Sequence, residues 1–203
     1  MGSLTQLQRS IIIGSLLGDG YPRIVPGRKA ALLEINHAFS QKGYVDWKYN
    51  MLASLCRSAP KARANNGERI AYRFSTRQHR ELTDLYKLFY RNGKKLIPNN
   101  LCLDPIMLAV WFMDDGSKCR DSDVYLNTQQ FNLGDQERCQ ILLHRIGIEC
   151  SRNRDKIYWR LRIKKSSLPR LWQLITPYIV QSMTYKLSYN PVETEVARPR
   201  VVV

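Results

Sequence analysis

The chain has 203 residues, of which 44% are hydrophobic and 24% charged, a composition that excludes a largely disordered protein. Its longest apolar runs, such as Ile11–Leu17, are too short to span a bilayer. Thirty-two Lys and Arg against 17 Asp and Glu give a net charge of +15, so nucleic acid is the first partner to expect. The alternatives are a basic surface without a specific partner and one that meets anionic lipid.

The five cysteines are odd in number and form no CxxC pair, and no His/Cys cluster has the spacing of zinc ligands. This pattern favours reduced thiols in an intracellular protein. An organelle (mitochondrion or chloroplast) and a bacterial cytoplasm both fit. We expect neither a structural zinc nor an association with membranes.

Two mostly apolar helices are predicted, and each ends in an aspartate followed by a glycine. The first covers Leu4–Leu17 and is followed by Gly18-Asp19-Gly20. The second covers Asp104–Met113, with a proline suited to its first turn, and is followed by Asp114-Asp115-Gly116. A glycine after each acidic residue supplies a C-terminal stop. Asp19 and Asp115 are separated by close to half the chain.

The same order of elements follows each aspartate. In the first half, predicted strands and helices alternate over Ala31–His37, Tyr44–Arg57, Arg69–Thr76 and Glu81–Arg91. In the second half, they alternate over Asp123–Phe131, Asp135–Ile146, Lys156–Lys164 and Leu168–Ile179. We therefore predict an internally duplicated α+β chain with pseudo-twofold symmetry. The junction falls in Arg91–Leu101, and the two helices that end in aspartate meet at the symmetry axis.

The predicted strands carry polar and cationic side chains on one face. In Lys156–Lys164, every even position is basic or Tyr and every odd position is apolar. A solvated outer face is the ordinary explanation, but such faces usually mix acids with bases, and this one has no acid. Arg, Lys, Asn and Gln also pair with base edges in the major groove. The predicted DNA-binding residues are Arg23, Arg28, Glu34, Asn36, Arg69, Arg73, Ser75, Lys118, Arg120, Tyr125, Asn127, Gln129, Lys156, Tyr158, Arg160, Arg162 and Lys164.

Asp19 and Asp115 lie at the negative ends of their helix dipoles, an unfavourable place for a carboxylate. A divalent cation between them would remove this penalty and their mutual repulsion, and an oxygen-only donor set favours Mg²⁺. Surface C-cap acids are the alternative, which the repetition of the pattern weakens. Metal held by acids on a basic surface suggests phosphodiester hydrolysis, with one aspartate for each strand of a duplex. Lys95 and Lys186 follow the aspartates at nearly matched separations, although spacing alone does not select them among 32 cations.

The segments Gly14–Gly20 and Ala109–Gly116 resemble the paired LAGLIDADG motifs of single-chain homing endonucleases. Lys94–Leu101, Leu126–Gln129 and Met183–Leu187 are also similar to this family, so the resemblance runs from about Leu4 to Leu187. It implies a monomer of two αββαββα repeats, over residues 4–98 and 99–190, with a tail over 191–203. Their two antiparallel sheets would form a saddle on the major groove, with the two motif helices packed at the centre.

The resemblance also implies roles for single residues. Asp19 and Asp115 would bind the metal, and the catalytic set would be Asp19, Asp115, Lys95, Lys186 and Gln129. The two lysines would lie near the scissile phosphates, and the glutamine near the metal-bound water. The helix interface would be formed by Gly14, Gly18 and Ala109. Because the second helix carries Val110 and Asp114 at the glycine positions, the helices would cross asymmetrically.

The implied activity is Mg²⁺-dependent cleavage of both strands at a long, asymmetric DNA site. We expect Mn²⁺ to substitute for Mg²⁺, and Ca²⁺ to support binding without cleavage. Two alternatives stay open: an RNA maturase that assists splicing of its intron, and a catalytically inactive DNA-binding regulator on the same scaffold.

Overall fold

A computed structural model describes residues 2–64, 70–120 and 123–187 of the chain. The predicted DNA-binding residue Arg69 and the predicted tail over 191–203 lie outside the described residues. Within the described ranges, no helix combines the length and the apolar character that crossing a membrane requires.

Among the described residues, each half of the chain contains three α-helices and four strands in the same order. The first half comprises α1 (Gln6–Leu17), β1 (Tyr21–Ile24), β2 (Ala31–Ala38), α2 (Lys42–Leu52), β3 (Lys61–Ala64), β4 (Ile70–Ser75) and α3 (Arg80–Phe89). A short hairpin, β5 (Tyr90–Arg91) and β6 (Lys94–Lys95), leads into the second half. This half comprises α4 (Pro105–Asp115), β7 (Gly116–Arg120), β8 (Asp123–Leu126), α5 (Leu133–Arg145), β9 (Cys150–Asp155), β10 (Tyr158–Ile163) and α6 (Leu168–Ile175). A 3₁₀ turn over Gln181–Lys186 follows.

The two halves form antiparallel sheets of identical topology, in the orders β1-β2-β4-β3 and β7-β8-β10-β9. Their registers also match. Tyr21 pairs with Glu34 in the first sheet, as Ser117 pairs with Tyr125 in the second. The predicted α+β fold of two αββαββα repeats is therefore confirmed, and the registers make Glu34 and Tyr125 equivalent positions.

Several predicted boundaries were wrong. The strand expected over Asp123–Phe131 ends at Leu126, and the strand expected over Lys156–Lys164 begins only at Tyr158. Lys156 has a φ of 56° in the turn before that strand, so it lies outside the alternating pattern that assigned it to a strand face. The sequence did not locate strands β1, β3, β7 and β9, although the implied αββαββα repeats include them, because they are short or lack a clear apolar alternation.

The two motif helices, α1 and α4, pack against each other at the centre of the molecule. Every residue of Met107–Met113 is buried, which explains why α4 is apolar around its whole circumference. A Cβ on Gly14 would lie 2.7 Å from the Met107 carbonyl oxygen and from the Val110 Cβ. The glycine thus permits a close approach that any larger residue would prevent.

The helix contact is asymmetric, as the sequence predicts. A Cβ on Gly18 would lie 2.4 Å from the Cβ of Asp114, so the two glycines of α1 face larger side chains of α4. Ala109 is fully buried within α4. At the other end of these helices, Thr5 and Gln8 form a capping box on α1, and Asp104 caps α4 by accepting from the Met107 amide. The caps fix where the helices begin, and the glycine contacts fix how closely they approach.

Candidate active site

The adjoining C-terminal ends of α1 and α4 bring three carboxylates together. The Asp19 side chain is half exposed, whereas the Asp114 side chain is completely buried. Asp115 is largely enclosed, and burial is the main reason that its pKa rises from 3.8 to about 8. The neighbouring charges of Asp19 and Asp114 raise this pKa further, which shows that the three groups share one electrostatic environment.

Asp115 has an oxygen that no other group satisfies. Its Oδ2 atom is buried and has no hydrogen-bond partner among the described residues. A buried carboxylate oxygen without a donor is costly, and a second carboxylate beside it adds repulsion. A hard divalent cation coordinated by Asp19 and Asp115 would relieve both penalties, so the donor set fits a metal such as Mg²⁺.

A lysine lies at each of the two helix ends. Lys95 donates from Nζ to the Gly18 carbonyl oxygen at 2.6 Å. Lys186 donates to the carbonyl oxygens of Met113 and Asp114, at 2.5 and 3.1 Å. Since Gly18 precedes Asp19 as Asp114 precedes Asp115, the two lysines occupy equivalent places. Burial lowers the pKa of both lysines, and the nearby carboxylates oppose this shift.

Asp114 is enclosed by groups of the first half. Lys48 Nζ lies 2.8 and 3.0 Å from its two oxygens, and the Tyr44 hydroxyl donates to it at 2.8 Å. His37 lies 3.7 Å from Asp114 and 3.8 Å from Asp19. The pKa of His37 is lowered, first by burial and then by the charge of Lys48.

Sequence reasoning missed His37, Tyr44 and Lys48. One signal was available for Lys48, which stands between Tyr44 and Leu52 at helical spacing and hence on the buried stripe of α2. A lysine at a core position requires a buried anion as its partner. The sequence does not identify that anion, which comes from the other half of the chain.

Asp19, His37 and Asp114 place potential ligand atoms within 4.8 Å of one another and form a candidate metal centre. The contacts of Asp114 argue against a ligand role for it, because its charge is already balanced by Lys48 and one oxygen accepts from Tyr44. Among the described residues, no such lysine is paired with Asp19 or Asp115, so we expect these two to be the carboxylate ligands.

Several predicted DNA-binding residues interact with one another on the sheet surfaces. Glu34 accepts from Arg23 at 3.2 Å and from Arg73 at 3.5 Å. In the second sheet, Arg162 pairs with Asp123, and the Arg160 guanidinium lies 3.9 Å from the centre of the Tyr125 ring. The exposed members of the predicted set are Arg28, Asn36, Ser75, Lys118, Lys156, Tyr158, Arg162 and Lys164.

Four further predicted positions lie in or next to the second sheet. Tyr125 is only 7% exposed, because Arg160 covers its ring, and its contact with DNA stays a prediction. Gln129 donates its amide to Asp155 at 3.0 Å and follows the end of β8 in a loop. Asn127 lies in the same loop, and its backbone N–H donates to the backbone carbonyl oxygen of Asp115 at 2.9 Å. Arg120 lies at the end of β7.

The two repeats meet where helices α1 and α4 pack together, and carboxylates lie at the C-terminal ends of these helices. Each repeat also carries a sheet with arginines on its surface. This is the architecture of a homing-endonuclease fold. The sequence profile of the LAGLIDADG DNA endonuclease family matches residues 9–171. The chain belongs to that family.

Sequence relatives of this chain include proteins named for two activities. The cytochrome b mRNA maturase bI2 of Debaryomyces hansenii is 31% identical over 189 residues, which cover 87% of this chain and 72% of that protein. The probable intron-encoded endonuclease 1 of Wickerhamomyces canadensis is 29% identical over 205 residues, covering 93% and 87%. Both alignments run through both repeats.

Solved structures agree with the fold. The homing endonuclease I-WcaI, bound to its DNA recognition sequence, superposes with a TM-score of 0.86 at 28% identity, covering 94% of this chain and 89% of that one. I-DmoI in complex with DNA and Ca superposes with a TM-score of 0.56 at 13% identity, covering 88% and 96%, a likeness of fold alone.

Proposed function

We propose that this chain is a monomeric, site-specific DNA endonuclease that hydrolyses one phosphodiester bond in each strand of a long duplex site, with Mg²⁺ as its metal. The observation that carries the proposal is the buried Oδ2 atom of Asp115, which has no hydrogen-bond partner among the described residues and lies near the charge of Asp19. Membership of a DNA endonuclease family and the similarity to a homing endonuclease bound to DNA support the substrate.

Asp19 and Asp115 would hold the metal between the two repeats. A bound divalent cation supplies Lewis acidity to the phosphate and a nucleophile from coordinated water. Lys95 and Lys186 place one cation beside each aspartate, where negative charge develops on the reacting phosphate. We retain Gln129 as a proposed group for orienting water, although in the free protein its amide is held by Asp155.

The two sheets would bind the duplex. They carry arginines at matching positions of β4 and β10, and the net charge of +15 favours contact with many phosphates. Mn²⁺ should replace Mg²⁺ in cleavage, and Ca²⁺ should support binding alone. We infer an organelle, most simply a mitochondrion, as the compartment, because the related maturases are named for cytochrome b.

Selection from a randomised duplex library tests this function. The protein is first bound to the library in Ca²⁺, and the bound duplexes are then exposed to Mg²⁺ and sequenced at their ends. We expect one family of long, asymmetric sites with breaks in both strands. Recovery of bound but uncut duplexes would favour the inactive regulator instead.

A second function is supported by the maturase relatives of Debaryomyces hansenii and Saccharomyces cerevisiae, which are 31% and 30% identical to this chain. Basic sheets of this kind can bind structured RNA as well as duplex DNA. A splicing assay with the related cytochrome b intron tests the function. Faster splicing with the Asp19→Asn variant would separate maturase activity from cleavage.

A further inference from the structure

In the part of the chain that the structure describes, only one of the two helix ends at the active site accepts support from a side chain of the opposite helix. Helix α1 ends at Leu17, and the amide of Asp19 beyond it donates to Asp114 Oδ2 at 3.2 Å. Helix α4 continues as far as Asp115. In α1 the position of Asp114 is occupied by Gly18, which has no side chain to offer in return. The two metal-binding aspartates are therefore supported differently.

The acceptor carboxylate is itself fixed by a buried cation. Lys48 contacts both oxygens of Asp114, and both side chains are fully buried. The Lys48 ammonium also lies 4.5 Å from the centre of the Tyr44 ring. A fully buried ion pair often stabilises a protein no better than an apolar pair of the same volume, so stability alone is a poor explanation for it.

The second half carries no ion pair at the equivalent positions. The matched registers of β2 and β8 make His37 equivalent to Thr128. The same number of residues further along, Lys48 of α2 corresponds to Cys139 of α5, and both are fully buried. Burial raises the pKa of the Cys139 thiol, so this position is uncharged. The ion pair breaks the symmetry of the duplicated site.

We propose that Lys48 and Asp114 are positioning residues for Asp19 and not for Asp115, so that the two DNA strands are cut at unequal rates. Lys48 balances the charge of Asp114, and the carboxylate then serves as an acceptor for the Asp19 amide instead of a third anion at the metal. This inference rests on the proposed endonuclease function.

Two double variants isolate the acceptor, because both remove the buried charges together and leave neither ion unpaired. Lys48→Met with Asp114→Asn keeps an oxygen that accepts from the Asp19 amide. Lys48→Met with Asp114→Ala removes it. Lys42→Met is the matched control, since it removes an exposed lysine from the same helix. Each protein is assayed on a duplex labelled on both strands, with nicks counted separately.

Lys95→Met and Lys186→Met show which DNA strand each half of the site cuts, because each lysine contacts the end of one motif helix. The strand whose cleavage Lys95→Met slows most is assigned to the Asp19 side of the site. We expect the alanine double variant to slow cleavage of that strand by about fivefold relative to the other strand. A factor of this size corresponds to the loss of one hydrogen bond of ordinary strength. The asparagine double variant and the Lys42→Met control should keep the wild-type ratio.

Amide hydrogen exchange gives a second measurement, made on the free protein without metal or DNA. The Asp19 amide should exchange faster in the alanine double variant than in the wild type or the asparagine double variant. The inference would be overturned if the alanine double variant slowed cleavage of both strands equally. It would also be overturned if the Asp19 backbone amide exchanged at the same rate in the two double variants. A wild type that cuts no site in Mg²⁺ would instead refute the proposed function, and the exchange rates would still judge the positioning.

Discussion

The guanidinium of Arg160 lies 3.9 Å above the ring of Tyr125, and this contact encloses the tyrosine on the surface of the second sheet. The first sheet has Arg73 and Glu34 at the equivalent positions, and there an ion pair holds the arginine. Two arginines at matching places are thus oriented before DNA arrives. Such preorganisation reduces the conformational entropy lost on binding.

Arg160→Ala should therefore weaken DNA binding in Ca²⁺. If the arginine contacts a base, the loss is about 1–3 kcal/mol and is confined to duplexes with the wild-type base pair at one position. Competition binding against duplexes substituted one base pair at a time measures this. Arg162→Ala should weaken binding in the same way, with the loss confined to a different base pair of the duplex. Arg170→Ala, on α6 and hydrogen-bonded to the Ile146 carbonyl, is the charge-matched control. A uniform loss at every position would identify a phosphate contact instead.

Asp19→Asn and Asp115→Asn should each reduce cleavage of both strands severely, because each variant loses one carboxylate of the metal-binding pair. Binding in Ca²⁺ should stay within a few fold of the wild type. Linearisation of a supercoiled plasmid that carries the selected site measures the cleavage, and gel shifts measure the binding. Normal cutting by either variant would contradict the assignment of the metal ligands.

The stability of the metal-free protein should depend on the ionisation of Asp115. Folding raises the pKa of this carboxyl from 3.8 to about 8, so between these values the folded state binds more protons than the unfolded state. Stability from this group is therefore present below pH 4 and is lost as the pH rises through 8. The Asp115→Asn variant has no carboxyl to ionise at this position, so its stability does not fall in this way as the pH rises.

We expect Asp115→Asn to raise the free energy of unfolding above pH 8 by about 1 kcal/mol or more, which is about 2–4 °C in Tm for a chain of this length. Thermal unfolding in a chelator, at steps from pH 5 to pH 9, measures the difference. The advantage of the variant should shrink as the pH falls towards 5. Added Ca²⁺ should stabilise the wild type more than the variant. A variant less stable than the wild type at pH 9 would contradict this account.

Gly14→Ala should destabilise the junction between the repeats. The added methyl group would lie 2.7 Å from a backbone oxygen of Met107 and from the Val110 Cβ, and neither can move without shifting α4. We expect a loss of about 1–3 kcal/mol, as for other overpacked cores. Urea denaturation measures it. Gly134→Ala is the control, because its methyl group would meet only the end of the Asn132 side chain at 3.4 Å.

The sequence predicted the repeated elements that lead to the site, and it did not predict the side chains that reach the site from the other repeat. Helices that end in Asp19 and Asp115 were recognisable, because a capped apolar run followed by Asp-Gly occurs twice. The roles of Lys48 and His37 were not predictable, because their partner Asp114 comes from the other repeat. The position of Tyr125 was predicted on the correct strand, but its covering by Arg160 depends on the register of two strands.

The tight junction of α1 and α4 also bears on how such a protein can change over evolutionary time. One helix contributes the glycines, Gly14 and Gly18, and the other contributes the bulk that fills them, Val110 and Asp114. The contact is therefore not self-complementary, and Asp114 also brings a buried charge to it that Lys48 of the first repeat balances. Two copies of the second repeat would bring two Asp114 carboxylates to the seam with Cys139 where the first repeat has Lys48, so we expect this repeat not to pair with itself once separated.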